Sequence, residues 1–288
     1  MSRPEFFRPR MALCAALLAS LLLAACAAAP KVSAPQLRKL AQEAETDGAR
    51  RYARGDYAGA ARSFGTAGQL QQSFDDPAAA ARNALNKARA ELAQGQADAA
   101  LNSALHVIQP ELALDSLLLQ AQANLSLERL PAAQANLAAA TTACAANCPQ
   151  AAGLHLLQAR AALADKHAAD ALAHAEAALK LLQGKDEAAE TGNAWRLISA
   201  ARLAGGDAGN ALPAASAALE IDRQLALPEK IARDWMLIGD IRRKVGAGGT
   251  AAAYRRALDV ANAAGLGDVA RMATQALAQA GEDKAAAR

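Results

Sequence analysis

Part of this 288-residue chain repeats itself: Trp195, Leu197, Ile198, Arg202 and Gly206 recur as Trp235, Leu237, Ile238, Arg242 and Gly246, each displaced by 40 residues. A fixed displacement of that size marks a supersecondary unit that buries its apolar face only by stacking on copies of itself. The same register, laid along the rest of the chain, collects a column of small residues at Gly48, Ala88, Ala121, Ala159, Ser199 and Gly239. Twelve residues further on, a second column reads Ala60, Ala100, Ala133, Ala171, Ala211 and Ala251. Two antiparallel helices come close only where neither presents bulk, so paired small positions set the point of nearest approach. Turns fall between the columns, at Gly55-Asp56, Gly95-Gln96, Glu128-Arg129-Leu130, Lys166-His167, Gly206-Asp207 and Gly246 to Gly249. Several of them carry the glycine that stops a helix. Apolar residues such as Leu154, Leu157 and Leu163 keep helical spacing. Alanine fills 85 of the 288 positions, so the tryptophan pair is a stronger witness than the alanine column. Aromatic residues make up only 3%, which favours close-packed helices over sheets.

Nearer the N-terminus, Gly48, the turn Gly55-Asp56-Tyr57, and then Ala60, Phe64 and Ala67 resemble the tetratricopeptide repeat. That pattern has a small residue in its first helix, a Gly-x-aromatic turn, and alanine, aromatic and alanine along its second. The resemblance spans roughly residues 40 to 265. It implies an all-α, right-handed solenoid of about six helical hairpins. Two departures stand out: most repeat starts lie about 38 to 40 residues apart, against about 34 in the family. The closing proline of the second helix is missing or displaced to Pro110, Pro149 and Pro228, and the last repeat must shorten by one residue to bring Tyr254 into the aromatic slot. Asp268 to Leu277, with an acidic first turn, reads as a capping helix. The repeat domain is expected over residues 35–280, with a frayed tail over 281–288.

The first 26 residues carry Arg3, Arg8 and Arg10, an apolar run from Met11 to Leu23, and then Leu23-Ala24-Ala25-Cys26. This order resembles a bacterial lipoprotein signal peptide: a basic segment held on the cytoplasmic side, an apolar segment that inserts, and small residues that admit a peptidase. The resemblance implies loss of residues 1–25, acylation of Cys26 and a short tether over 26–34. With about 0.8 kcal/mol per buried methylene, three acyl chains anchor a protein stably. Ala27 and Ala28 lack the aspartate associated with inner-membrane retention, which implies a lipid-anchored protein of the outer membrane facing the periplasm. Arg3, Glu5, Arg8 and Arg10 account for +2 of the whole chain's +3, so about +1 remains, which argues against nucleic acid as a partner.

Cys14 leaves with the leader and Cys26 takes lipid, so Cys144 and Cys148 remain, four residues apart and just before Pro149. In an oxidising compartment such a pair is expected to form a disulfide. A redox-active pair normally has two intervening residues beside a helix start, and a metal would need further ligands. His106, His155, His167 and His174 are expected to be solvated or partly packed. His167 and His174 are seven apart, but His167 falls in a turn. Nucleophile elbows, phosphate-binding glycine loops and zinc-protease helices are all missing, so no catalytic residue, metal or cofactor is expected and the chain does not read as an enzyme. Trp195 and Trp235 are expected to pack in the core.

The resemblance also implies a concave wall made by the first helix of each hairpin. Its inward positions map to Arg82, Asn86, Arg89, Arg160, Asn193, Arg196, Arg233, Asp240 and Arg243. Arginine forks and amides suit carboxylates and peptide backbone, so an acidic or C-terminal peptide of a protein partner is the expected ligand. The function this implies is a periplasmic adaptor for an envelope assembly such as secretion, pilus or cell-wall machinery. The alternative is a regulatory subunit that activates an envelope enzyme, and the sequence does not separate the two. A third reading, an enzyme with a small-molecule site inside the superhelix, has no motif behind it.

Overall fold

The computed structural model describes residues 33–145 and 148–286, the last five as backbone alone. The leader expected over 1–25 and the expected lipidation site Cys26 lie outside the described residues. Among the described residues there are thirteen α-helices, one short 3-10 helix (Pro110–Leu112) and no strand. They pair as α1 (Ala34–Ala53) with α2 (Tyr57–Ser73), α3 (Pro77–Ala93) with α4 (Ala97–Leu105), and α5 (Ala113–Ser126) with α6 (Leu130–Ala143). Then come α7 (Ala151–Ala164) with α8 (Ala168–Leu182), α9 (Ala188–Ala204) with α10 (Ala208–Gln224), and α11 (Pro228–Lys244) with α12 (Thr250–Ala263). The capping helix, α13 (Gly267–Ala286), follows the sixth hairpin. It runs past the boundary expected at residue 280, because its alanine-rich end, with Glu282 and Lys284, favours helix over coil.

One backbone device closes the hairpins. After α1, Gly55 takes φ 80°. Its N–H donates to the Tyr52 carbonyl and the Asp56 N–H to the Arg51 carbonyl, both at 3.0 Å. This pair of bonds satisfies carbonyls that a helix end would leave bare. Glu128 and Lys166, at φ 57° and 63°, hold the same left-handed position where the sequence offers no glycine. The following residue begins the next helix: the Asp56 carboxylate accepts from the Gly59 N–H at 2.9 Å, as Asp207 does from Asn210 at 3.3 Å. The Gly-Asp dipeptide thus ends one helix and caps another.

The small columns meet as the register requires. Ala88, Ala121, Ala159 and Ser199 face inward with Ala60, Ala133, Ala171 and Ala211, all at 0% exposure. In the sixth hairpin the second column moves from Ala251, which is half-buried, to Ala253, which is buried. The turn from Val245 to the N-cap Gly249 is two residues longer than the turn from Arg54 to Asp56, so α12 starts later. The Tyr254 ring still lies on Gly239 as the Phe64 ring lies on Gly48.

The core is divided among the joints. Ala60, Ala61, Phe64 and Ala90 join the first two hairpins. Leu154, Leu157 and Leu137 join the third to the fourth, and Ala159, Ala175, Ile198 and Ala214 the fourth to the fifth with Trp195 against them. Trp235 packs where the fifth meets the sixth, with the Arg223 and Arg256 guanidiniums 5.2 and 4.8 Å from its ring centroid. Cys144, which ends α6, is disulfide-bonded to Cys148 across a Cα–Cα distance of 5.4 Å.

Candidate peptide-binding groove

The first helices of successive hairpins lie side by side, and five of them, α3, α5, α7, α9 and α11, line a groove of about 670 Å³. Of the inward residues expected from the sequence, the structure brings Arg89, Arg160, Asn193, Arg196 and Arg233 together here. The other four do not line it. Arg82 is exposed, and Asn86 accepts from the Arg89 guanidinium at 2.8 Å. Asp240 accepts from the Tyr254 hydroxyl at 2.7 Å, while Arg243 reaches Gln279 of α13 at 3.3 Å. Asp240 and Arg243 therefore tie the last hairpin to itself and to the cap.

The cations and amides of the groove are legible in the sequence helix by helix, but its apolar floor and its own acids are not. Leu118, Leu119, Leu156, Leu157 and Leu197 line the groove beside Asp115, Glu190 and Glu229. Most of its charges are satisfied locally. Arg89 lies 3.8 Å from Asp115, Arg233 lies 2.9 Å from Glu229, and the Asn193 amide donates to Glu190 at 2.9 Å. Lys230, whose ammonium burial pushes below its usual range, faces the Ala189 carbonyl at 3.5 Å. Arg160 differs. It is half-buried, burial and then Arg233 lower its pKa, and among the described residues no carboxylate comes within ion-pair distance.

Arg196 is bound from beneath. Its Nε donates to Asp234 at 2.6 Å, a terminal nitrogen donates to Asp222, and the other donates to the Asn193 side-chain Oδ1 at 2.9 Å. Both aspartates are at 0% exposure. Arg196 precedes them by 26 and 38 residues, and the same spacing relates Glu45 to Gln71 and Asn83 at the first joint. There, the Asn83 amide donates to Gln71 at 2.9 Å and to Glu45 at 3.3 Å. At the joints from the third hairpin to the fourth and from the fourth to the fifth, the corresponding positions are apolar: Leu118, Cys144 and Leu154, then Leu156, Leu182 and Ala194. The ion cluster thus replaces a hydrophobic contact at one joint. The spacing was the available signal, and it goes unseen when each inward position is read on its own helix.

Away from the groove, His155 and His174 approach through their Nδ1 atoms at 3.1 Å. Among the described residues no group of three or more His, Cys, Asp or Glu side chains is placed to hold a metal ion.

No protein-family profile matches the chain, and no curated protein matches it in sequence. Among solved structures it is similar to the apo form of RapI, with TM-score 0.60 and 13% identity over 85% of this chain and 72% of that one. BtubC (BKLC) from P. vanneervenii gives TM-score 0.48 and 19% identity over 80% of this chain and 92% of that one. The TPR2AB-domain:pHSP90 complex of yeast Sti1 gives 0.39 and 14% over 84% and 99%. At such identities the likeness to RapI concerns the fold alone. Together with the paired helices and small columns, it defines a tetratricopeptide-like α-solenoid.

Proposed function

We propose that this chain is a non-catalytic adaptor whose groove holds an acidic segment of a partner protein, with the adaptor tethered by lipid on Cys26 to the periplasmic face of the outer membrane. Arg160 carries the reading. A half-buried guanidinium without a counter-ion is costly, and a ligand carboxylate relieves that cost while the leucine floor takes an adjoining apolar side chain. Arg233 supplies a second cation beside it. Arg196 is a support for the wall, since its guanidinium already serves Asp222, Asp234 and Asn193.

The test is co-purification of the full chain from detergent-solubilised membranes, compared with R160E/R233E. The wild type is expected to retain one set of envelope proteins at moderate salt and the double variant to lose it. Retention by the double variant would move recognition to another face.

A further inference from the structure

The joint between the fifth and sixth hairpins contains a charge imbalance. Asp222 and Asp234 are fully buried and share one guanidinium, that of Arg196, which is 19% exposed. One carboxylate oxygen of Asp222 has no hydrogen-bond partner. It is wedged against the backbone of Gly192, where an added Cβ would lie 3.0 Å away. Two carboxylates facing one cation in an apolar joint leave one negative charge over, and removing it takes either a proton or a second cation. The remaining nearby ammonium, Lys230 on α11 itself, lies by the Ala189 carbonyl and is drawn toward Asp222 from a distance.

We propose that this cluster is a proton-linked latch: Arg196, Asp222 and Asp234 clamp α9, α10 and α11 together while the two carboxylates share one proton, and the clamp loosens when that proton leaves.

The groups acting on the pair are Arg196 from α9, the two aspartates themselves from α10 and α11, and at longer range Lys230 of α11, on which Glu190 of α9 acts in turn. From α12 the Tyr254 hydroxyl is on Asp240 and Arg256 lies over Trp235, while from α13 Gln279 accepts from Arg243. Burial, only partly opposed by Arg196, raises Asp234 to about 7, so the latch works near neutral pH. A carboxyl raised this way keeps its proton in the folded chain above the ordinary 3.8 and releases it on unfolding. Its stabilising share is therefore complete at low pH and falls away as pH rises toward 7. Arg196 and Asn193 line the groove, so the latch would set the spacing of its α9 and α11 walls; that consequence rests on the groove reading, whereas the latch itself does not.

The experiment compares urea unfolding of the full chain from about pH 5 to about pH 8 with that of R196L/D222L/D234A, which copies Leu156, Leu182 and Ala194 of the preceding joint. The wild type is expected to release about one more proton on unfolding than the variant, its midpoint falling relative to the variant's as pH rises. Amide exchange, corrected for intrinsic rate, should speed up several-fold in α9 to α11 on raising the pH, with α1 and α2 unchanged. Parallel pH profiles for the two proteins would overturn the latch. If the triple variant fails to fold, D234N serves: it keeps a hydrogen-bonding group without the titration and is expected to flatten the profile, and an unflattened one overturns the proposal. Neither measurement uses a ligand, so a failed R160E/R233E test leaves it untouched.

Discussion

The Phe64 and Tyr254 rings lie on Gly48 and Gly239 because a helix pair this close leaves no room for a methyl group. A Cβ at Gly48 would sit 2.8 Å from the Phe64 ring carbons. Replacing Gly48 with Ala is therefore expected to lower stability by about 1–3 kcal/mol through overpacking, measured as the urea midpoint, despite alanine's better helix propensity. No midpoint loss would show that the first hairpin does not pack here. A second expectation concerns His174, which burial first and then His155 hold below its ordinary 6.5. The folded chain favours the neutral ring, so its stability should fall as pH drops from 6.5 through that lowered value. Proton NMR titration of H155N should show the His174 pKa moving back up, and an unmoved value would mean His155 exerts no pull. At the scale of single residues the columns are legible in the sequence, whereas the ion partners of Arg196 are not. Gly48 and Ser199 announce themselves by size, whereas the role of Arg196 depends on carboxylates 26 and 38 residues away on two other helices.

At the scale of elements, the chain spends its polar residues on starting and stopping helices. The Asp76 carboxylate, half-buried, accepts from the Ala79 N–H at 3.0 Å at the start of α3. Replacing Asp76 with Ala removes one satisfied end-group and is expected to cost about 1 kcal/mol, read from thermal or urea unfolding. A smaller change than a few tenths of a kcal/mol would mean water replaces the cap without loss. The Cys144–Cys148 bridge follows α6, where the third hairpin passes to the fourth. Because it closes only a short loop, C144S/C148S is expected to lose about 2 kcal/mol, the lower end of the usual range, when compared with oxidised wild type. Equal stability of the two would mean the unfolded chain gains no freedom from opening the loop. Turns were legible wherever Gly-Asp marks them, since one residue supplies the left-handed backbone and the next the cap. The start of α12 was not, because Gly246 to Gly249 holds several residues able to end a helix and does not say which begins the next.

Over the whole molecule, a solenoid contains no central core, so each hairpin is held by its neighbours, and the last one is held by the fifth hairpin on one face and by α13 on the other. Val269 and Ala273 are buried at 4% and 0%, and Val269 closes a cluster with Ala232 and Ala261 of the sixth hairpin. Arg243 also reaches Gln279. The need for such a cap is legible in the sequence, since any stack of open-faced units leaves one face bare, and Asp268 to Leu277 alone remained to cover it. The composition of the groove was not legible, because its leucines come from α5, α7 and α9 and meet only through the superhelical stacking. Truncation after Gly265 exposes the Ala232–Ala261 face, and nearest-neighbour coupling predicts that the damage decays along the stack. Amide exchange on the truncated chain should therefore show protection lost in α11 and α12, reduced in α9 and α10, and kept in α1 to α4. Uniform loss from end to end would mean that the hairpins fold as one cooperative body. In that case the Arg196 cluster would open only with the whole chain, and its pH dependence would appear in global unfolding and not in local exchange.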